Sequence, residues 1–472
     1  MKNFIFLLFL SIASFSFSRP FDILEASEQE AFWNSDPVLF VKNNSDAYFS
    51  FTSENRDCAD TRYYGGVLFS GLPAFETRVY FAEGGGISRI EVILFTKGGA
   101  ETFEFGTDAQ GRRFRRSVRI DKDITRSGFF ELLEKVRGFL DEGSKSTPPV
   151  KTEKIKNKSA YVKSQVWKKT KNSTCATLTW SYSQRGQDKA SFSPGFIRVS
   201  IDGPKKLSVP SKISGAKVAK SEKKISENVI KDSRGDVFID NVPMVDQGQK
   251  GYCAAATAER VLKYYGLDVD EHEVAEAAGT TAEGGTEIRA MKKAIEAIGK
   301  KYHLATSVIY GDFDADVRDR IDNIEDEVKN YNKAAKKLNF PQIEDSVYIK
   351  RTGNVITYSP CAARSAMKAE VLKDMKVNGP QRSKYMKFLS EVRKQISIGV
   401  PVLWSLELGI YPEPGLMQSR GGHMRLIIGY NERKKELLYS DSWGAGHELK
   451  RMPADWAFSV TRSAMYMKPT KR

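Results

Sequence analysis

The feature that most constrains this chain is a change in composition near its middle. Residues 203–236 are rich in lysine, serine and glycine and contain two prolines, a composition typical of linkers. The sequences on either side differ in pattern, and each is long enough to form its own core. We therefore predict a separate N-terminal α+β domain at 19–202, a linker at 203–236 and a second domain at 237–472.

The first eighteen residues, "MKNFIFLLFLSIASFSFS", combine one lysine with an apolar stretch that is too short to span a bilayer. Small residues at positions 16 and 18 complete the pattern of a signal peptide cleaved before Arg19. An uncleaved membrane anchor is the alternative. Because no later apolar run is long enough to cross a membrane, we predict a secreted or periplasmic protein.

The net charge of +15 is concentrated in two segments. Residues 151–171 carry eight lysines against one glutamate, and residues 205–224 carry seven against one. Such segments are typical of solvated linkers or surface-binding tails, and they can attract an anionic envelope surface. No nucleic-acid recognition motif accompanies the charge, so we expect no nucleic-acid partner.

The chain has four cysteines. Cys58 and Cys175 both lie in the N-terminal half and can be paired with each other, which leaves Cys253 and Cys361 as thiols in the second domain. Nothing else in the N-terminal half nominates a chemistry.

Cys253 lies where a glycine-rich turn becomes a helix, in "VDQGQKGYCAAATAERVLKYYG". The run after Cys253 has high helix propensity until Gly266. The helix N-terminus favours an anion and lowers the pKa of a thiol in the first turn. The alternative is a buried cysteine that acts only as a small apolar residue.

A thiolate nucleophile needs a base, usually histidine, and the chain has four histidines. His272 lies in "DEHEVAEA", which fails the HExxH zinc pattern because Glu276 occupies the fifth position. His303 and His447 have no suggestive neighbours. His423 opens a strand directly after two glycines, in "GGHMRLIIGYN", and it is our candidate base.

The strand after His423 runs into the polar turn "NERKK" and returns as "ELLYSDSW". Opposed residues in a hairpin are equidistant from the turn centre, so Asp441 is predicted to face His423 and to fix its tautomer. Gln247, six residues before Cys253, can donate to an oxyanion together with the Cys253 amide. The alternatives are a surface His-Asp pair of little energetic value and a surface glutamine.

These residues, in this order and spacing, resemble the papain-like cysteine peptidases. Over about residues 240–465 the sequence is most similar to the bacteriocin-processing (double-glycine) peptidase group and its secreted relatives. The resemblance implies a helical part plus an antiparallel sheet, no metal or organic cofactor, and a peptide or protein substrate. It further implies roles for five residues: Cys253 as nucleophile, His423 as base, Asp441 as orienting acid, Gln247 as oxyanion donor and Trp443 as a shield over the His-acid hydrogen bond.

The sequence also departs from the pattern. The papain subgroup usually has asparagine where Asp441 stands and an aromatic residue where Ala254 follows the cysteine. Leader-processing relatives are typically fused to membrane transporters, which are missing here, so a double-glycine substrate is not expected. Cys361 is the internal rival nucleophile, but Val355 stands six residues before it and cannot donate to an oxyanion.

A large helical insertion is predicted at about 304–398. Within it, apolar residues from 317 to 338 recur in alternating steps of four and three, which predicts one long amphipathic helix. This helix packs on its own domain or, alternatively, forms a lid or partner-binding surface.

The leading function is an exported cysteine peptidase with a Cys-His-Asp triad. A catalytically inactive binding protein at the cell envelope and a thioester-forming acyltransferase are the alternatives. The N-terminal domain is interpreted either as a removable inhibitor or as a targeting module. The sequence leaves the oligomeric state open.

Overall fold

The computed structural model describes residues 21–107, 112–142, 147–154, 160–168, 174–184, 188–204, 221–280, 285–311, 313–314, 317–353, 355–414, 416 and 420–470. The predicted signal peptide and residues 205–220 of the predicted linker lie outside these ranges. None of the described helices combines the length and hydropathy that a membrane crossing needs.

The N-terminal half contains four of the described helices and the strands β1 to β13. The helices are α1 (Ile23–Ser27), α2 (Glu30–Trp33), α3 (Pro37–Asn43) and α4 (Arg126–Asp141). The strands are β1 (Phe21–Asp22), β2 (Ser50–Phe51), β3 (Cys58–Thr61), β4 (Val67–Phe69), β5 (Leu72–Pro73), β6 (Glu76–Phe81), β7 (Ile87–Thr96), β8 (Ala100–Thr107), β9 (Arg113–Ile120), β10 (Lys151–Lys154), β11 (Ala160–Trp167), β12 (Cys175–Ser183) and β13 (Ser193–Asp202).

The C-terminal half contains α5 (Glu222–Ser226), α6 (Cys253–Tyr264), α7 (Glu271–Ala278), α8 (Ile288–Lys301), α9 (Val317–Lys337), α10 (Pro360–Ala366), α11 (Ala369–Lys373), α12 (Arg382–Ile396) and α13 (Ala454–Val460). Its strands are β14 (Val229–Lys231), β15 (Asp236–Ile239), β16 (Leu304–Tyr310), β17 (Ile349–Thr352), β18 (Val355–Tyr358), β19 (Val402–Leu408), β20 (Gly421–Asn431), β21 (Glu436–Ser440), β22 (Lys450–Pro453) and β23 (Thr461–Pro469).

The main N-terminal sheet has the strand order β10-β11-β12-β13-β7-β6-β3-β2. Its strands alternate between apolar and polar residues, as β6 illustrates with the sequence "ETRVYF". Val79 and Phe81 point into an apolar core that also receives Phe129, Leu133 and Val136 of α4. The polar face is buried as well, because the C-terminal domain packs against it.

The sheet register excludes a disulfide between Cys58 and Cys175. Cys175 pairs with Asp202, which pairs with Arg89, which pairs with Tyr80, which pairs with Cys58. Four interstrand steps of about 4.8 Å put the two cysteines roughly 19 Å apart, far beyond the reach of an S–S bond. Both are free thiols, so the pairing considered from sequence is wrong.

The lysine-rich stretch at 151–171 contains strands of the main sheet, whereas its charge alone predicts a linker or tail. Its described residues include β10 and β11, which form one antiparallel edge of the main sheet. Lysine is common on sheet edges because its charge discourages further strand pairing.

The C-terminal domain is built on the strand order β14-β15-β20-β19-β23-β16, with β21 pairing β20 and β22 pairing β21. Helix α6 packs against β20, and α12 packs against β15, β16, β19 and β20. One large apolar core joins these elements. The observed domain therefore combines helices with an antiparallel sheet, as the resemblance implies.

Two predicted boundaries differ from the structure. Residues 222–236 contribute α5, β14 and the first residue of β15, and Ile225 is fully buried in the C-terminal core, so this domain begins before residue 237. The predicted insertion at 304–398 starts too early, because β16 pairs with β23 in the main sheet. It is also not wholly helical, because β17 and β18 form a hairpin.

Candidate active site

Cys253 is the first residue of α6. Gly248 has a φ of +63°, in the left-handed region that glycine adopts without strain, and this turns the chain into the helix. The Cys253 side chain is partly exposed. Interactions with the His423 side chain and with the Met424 and Ala254 backbone act on its sulfur, and Cys253 and His423 line the same cleft. The N-terminal end of α6, which carries Cys253, therefore lies beside the start of β20, which carries His423.

His423 and Asp441 meet, but not as directly opposed residues. Leu426 pairs with Ser440 in the β20–β21 ladder, so continuing that register sets Asp441 opposite Arg425, two residues from His423. Alternate residues of a strand share a face, and both side chains therefore reach Asp441. His423 Nε2 lies 2.6 Å from Asp441 Oδ1, which leaves Nδ1 for the thiol.

The Asp441 carboxylate is fully buried and satisfied by three donors. His423 and the Ser442 amide, at 2.8 Å, both donate to Oδ1. Arg425 Nε donates to Oδ2 at 2.6 Å, and its Nη1 donates to Glu413 at 2.8 Å. Sequence reasoning missed Arg425, although a charged residue inside an otherwise apolar strand is a signal that a buried partner exists.

Charge and burial set opposite pKa shifts on the three groups. Burial raises the pKa of the Cys253 thiol, but its hydrogen bond and charge interaction with His423 outweigh this and bring the pKa below its usual value. Burial lowers the pKa of His423, whereas Asp441 and then Cys253 raise it to about 9. Burial raises the pKa of Asp441, and His423 and Arg425 lower it to about 2. The arrangement therefore favours a thiolate beside an imidazolium.

Gln247 is held by Ser442, the residue after Asp441. The Gln247 amide N–H donates to the Ser442 carbonyl at 2.9 Å, and the Ser442 hydroxyl donates to Gln247 Oε1 at 2.7 Å. Because the amide oxygen is engaged, the NH₂ group of the same side chain remains as a donor. Ser442 was not singled out from the sequence, although it belongs to the quoted "DSWG".

Trp443 stacks on the His423 imidazole, with ring centroids 4.8 Å apart and 25° between the planes. Arg425 lies over the same indole, 5.4 Å from the ring centroid. The indole and guanidinium therefore cover the region around the His423–Asp441 hydrogen bond, consistent with the shielding role that the resemblance implies.

The other candidates lie elsewhere. Cys361 is in α10, where Ser359 caps the helix through the Ala362 amide at 3.3 Å and Pro360 is the first helical residue. The Cys361 side chain lies outside the described part. His272 is buried between the domains, and His303 precedes β16. His447 packs edge-on against Trp443 at 5.5 Å but does not join the Cys253 pair.

Among the described residues, Glu76, Glu271 and His272 form the cluster that comes closest to a metal site. Lys250 Nζ lies 2.6 Å from Glu76 and 3.4 Å from Glu271. Arg78 Nη2 lies 2.9 Å from Glu271. An ammonium and a guanidinium thus already balance these buried carboxylates, which does not suit a second cation.

Cys253 and His423 open into a cleft of about 1280 Å³. Its facing wall comes from α9, through Asn323, Asp326 and Glu327. The apolar stripe of α9 packs inward, with Ile324, Val328, Tyr331 and Ala335 buried. The long helix therefore both packs on its own domain and borders the cleft.

Comparison with known proteins gives one family match and a similar solved structure. Residues 239–332 and 330–464 match the Peptidase_C39 like family. No curated protein matches the sequence. Among solved structures, xylellain, a cysteine protease from Xylella fastidiosa, is similar over 54% of this chain and 91% of its own, with 14% identity and a TM-score of 0.23.

The matched residues run from the end of β15 into β23, and they include the helix that begins at Cys253 and the strand that carries His423. The match therefore relates the C-terminal half of the chain to the Peptidase_C39 like family, and it supports a cysteine-type peptidase.

Proposed function

We propose that the protein is an exported cysteine peptidase that hydrolyses peptide bonds through Cys253, His423 and Asp441, with Gln247 as an oxyanion donor. The observation that carries the proposal is that His423 interacts with the Cys253 thiol and also with the Asp441 carboxylate, 2.6 Å from Nε2. Export rests on the sequence pattern of residues 1–18.

In this mechanism the Cys253 thiolate attacks the peptide carbonyl carbon. The Gln247 NH₂ group and the Cys253 backbone N–H stabilise the oxyanion of the tetrahedral intermediate. His423 then donates its proton to the leaving amine, and the C–N bond breaks to give a thioester. His423 next accepts a proton from water, the hydroxide adds to the thioester, and the carboxylic acid leaves as the thiolate re-forms.

The test is incubation of the purified mature chain with a diverse peptide library, with products read by mass spectrometry. Cys253→Ala is expected to reduce hydrolysis by roughly six orders of magnitude, as for other deleted nucleophiles. Cys175→Ala is the matched control, because Cys175 is also a free and partly exposed thiol. Equal loss in both variants contradicts the assignment, and products with the mass of acyl transfer to an amine contradict hydrolysis.

A further inference from the structure

The N-terminal domain holds the segment that carries Gln247, which we call the oxyanion loop (residues 246–250). Arg62, directly after β3, donates through Nη2 to the Asp246 carbonyl, and its Nη1 lies 3.5 Å from the Asp246 carboxylate. Glu101, on β8, accepts a hydrogen bond from the Gln249 amide at 2.9 Å. The residues on both sides of Gln247 are thus fixed by the other domain.

The N-terminal domain also packs closely against Gly248. A Cβ atom at this position would collide with the Glu101 carboxylate and the Arg62 side chain. The two N-terminal side chains therefore pack directly on the loop backbone, at the residue whose positive φ turns the chain towards Cys253.

The end of the loop is fixed by buried charge. Lys250 is 4% exposed, and its Nζ lies 2.6 Å from Glu76 of β6. Arg78, from the same strand, reaches Glu271 of α7 at 2.9 Å and Glu259 of α6 at 3.4 Å. Removing one partner of such buried pairs leaves an uncompensated charge, so these contacts define a single docked arrangement.

The same domain does not cover the catalytic cleft. Within the described residues, the cleft lining begins at Gly251 and ends at Ser463, so every lining residue belongs to the C-terminal half. A domain that contacts the oxyanion loop but leaves the cleft open does not have the geometry of an inhibitory propeptide.

We propose that the N-terminal domain is a permanent part of the catalytic apparatus, in which Arg62 and Glu101 are positioning residues that hold the oxyanion loop in its active conformation. The proposal rests on the proposed function, because it assigns these residues to the oxyanion donor of that reaction. It replaces both an inhibitory and a purely targeting role for the domain.

The experiment compares variants of the full mature chain. Glu101→Ala removes the acceptor of the Gln249 amide, whereas Glu101→Gln keeps an amide oxygen there. Arg89→Met is the matched control: Arg89, on β7 of the main N-terminal sheet, is similarly buried and crosses the interface to Asp268 at 2.8 Å, away from the loop.

We expect Glu101→Ala to lower kcat by about 10- to 100-fold, at or below the range for outright loss of an oxyanion donor. The affinity for a peptide aldehyde, whose hemithioacetal oxygen mimics the oxyanion, should fall by a similar factor. Alkylation of Cys253 by iodoacetamide needs no oxyanion donor and should stay within about threefold. Glu101→Gln should recover most of the activity.

A fall in kcat for Arg89→Met equal to that for Glu101→Ala would overturn the proposal in favour of general domain docking. Unchanged kcat and aldehyde affinity in Glu101→Ala would overturn it as well. Amide hydrogen exchange over residues 246–252 is a measurement that does not depend on catalytic activity. The exchange rate should increase in Glu101→Ala and not in Arg89→Met. If the wild-type chain cleaves no peptide, the proposed function fails while this measurement still decides the positioning role.

Discussion

Asp441 shares one negative charge between an imidazole and a guanidinium, and this sharing explains how His423 can be cationic while buried. The Arg425 guanidinium competes for the same carboxylate, but Glu413 accepts from its other side at 2.8 Å. Two carboxylates, Asp441 and Glu413, thus balance two cations. The Asp441 charge therefore stabilises the His423 imidazolium as well as the Arg425 guanidinium.

The pH dependence of catalysis should report this charge directly. The His423 pKa is raised to about 9, so its proton, needed by the leaving amine, is lost as the pH rises through that value. Asp441→Asn removes the charge that raises the pKa. We therefore expect the alkaline limb of kcat/KM to move to lower pH by about one unit or more, equivalent to about 1.4 kcal/mol.

Glu413→Gln is the matched control for this prediction, because it removes the same charge from the far side of Arg425. It should shift the alkaline limb less than Asp441→Asn does. An equal shift in both variants, or an unshifted limb in Asp441→Asn, contradicts the role given to the carboxylate.

At the scale of elements, α9 has two roles that a substitution can separate: it packs on its own domain and it borders the cleft. Tyr331 is fully buried, and its hydroxyl accepts a hydrogen bond from the Lys368 amide at 2.9 Å, which fixes the helix to the start of α11. Tyr331→Ala should lower the free energy of unfolding by about 3–5 kcal/mol. Because α9 forms a cleft wall while Cys253 and His423 lie on other elements, KM should rise with the Cys253 alkylation rate unchanged.

Denaturant unfolding, steady-state kinetics and iodoacetamide labelling together check this expectation. Lys336→Ala, on the exposed face of the same helix, should change none of the three. A fall in the alkylation rate of Tyr331→Ala as large as the rise in KM would instead place α9 in direct support of the ion pair.

The elements also separate what the sequence predicts from what it does not. The stripe of α9 was predictable because apolar residues at steps of four and three face one side of a helix. The proximity of His423 and Asp441 was predictable from the hairpin, but not its register. Asn431 pairs with Glu436, so the turn centre lies between residues 433 and 434 and not at the midpoint of His423 and Asp441, and an irregularity between Ile427 and Gly429 then changes the pairing by one residue.

Contacts between residues that are distant in the sequence could not be predicted from it. Arg62 and Glu101 reach the oxyanion loop across more than a hundred residues, and no local pattern marks either as a partner of that loop. Likewise, lysines at 151, 154 and 163 predict solvent exposure, but they do not distinguish a linker from an edge strand, because both are exposed.

At the scale of the molecule, the polar face of the N-terminal sheet is best explained by its partner domain. Arg78, Arg89 and Arg198 are each less than 5% exposed and pair with carboxylates of the C-terminal half. Alternating apolar and polar residues normally indicate a sheet with one solvated face. Here the same alternation provides a charged docking surface, so the two domains form one working unit.

Removal of the N-terminal domain should therefore lower peptidase activity. A chain starting at Ser221 loses Arg62, Glu76 and Glu101 and should have a lower kcat than the full mature chain. A chain starting at Val237 also loses Ile225, which is fully buried in the C-terminal core, and should unfold at a lower denaturant concentration. The control is the full chain cleaved within 205–220, whose halves should co-elute in gel filtration and stay active because the interface holds them together. Higher activity of the Ser221 chain would restore an inhibitory role for the N-terminal domain.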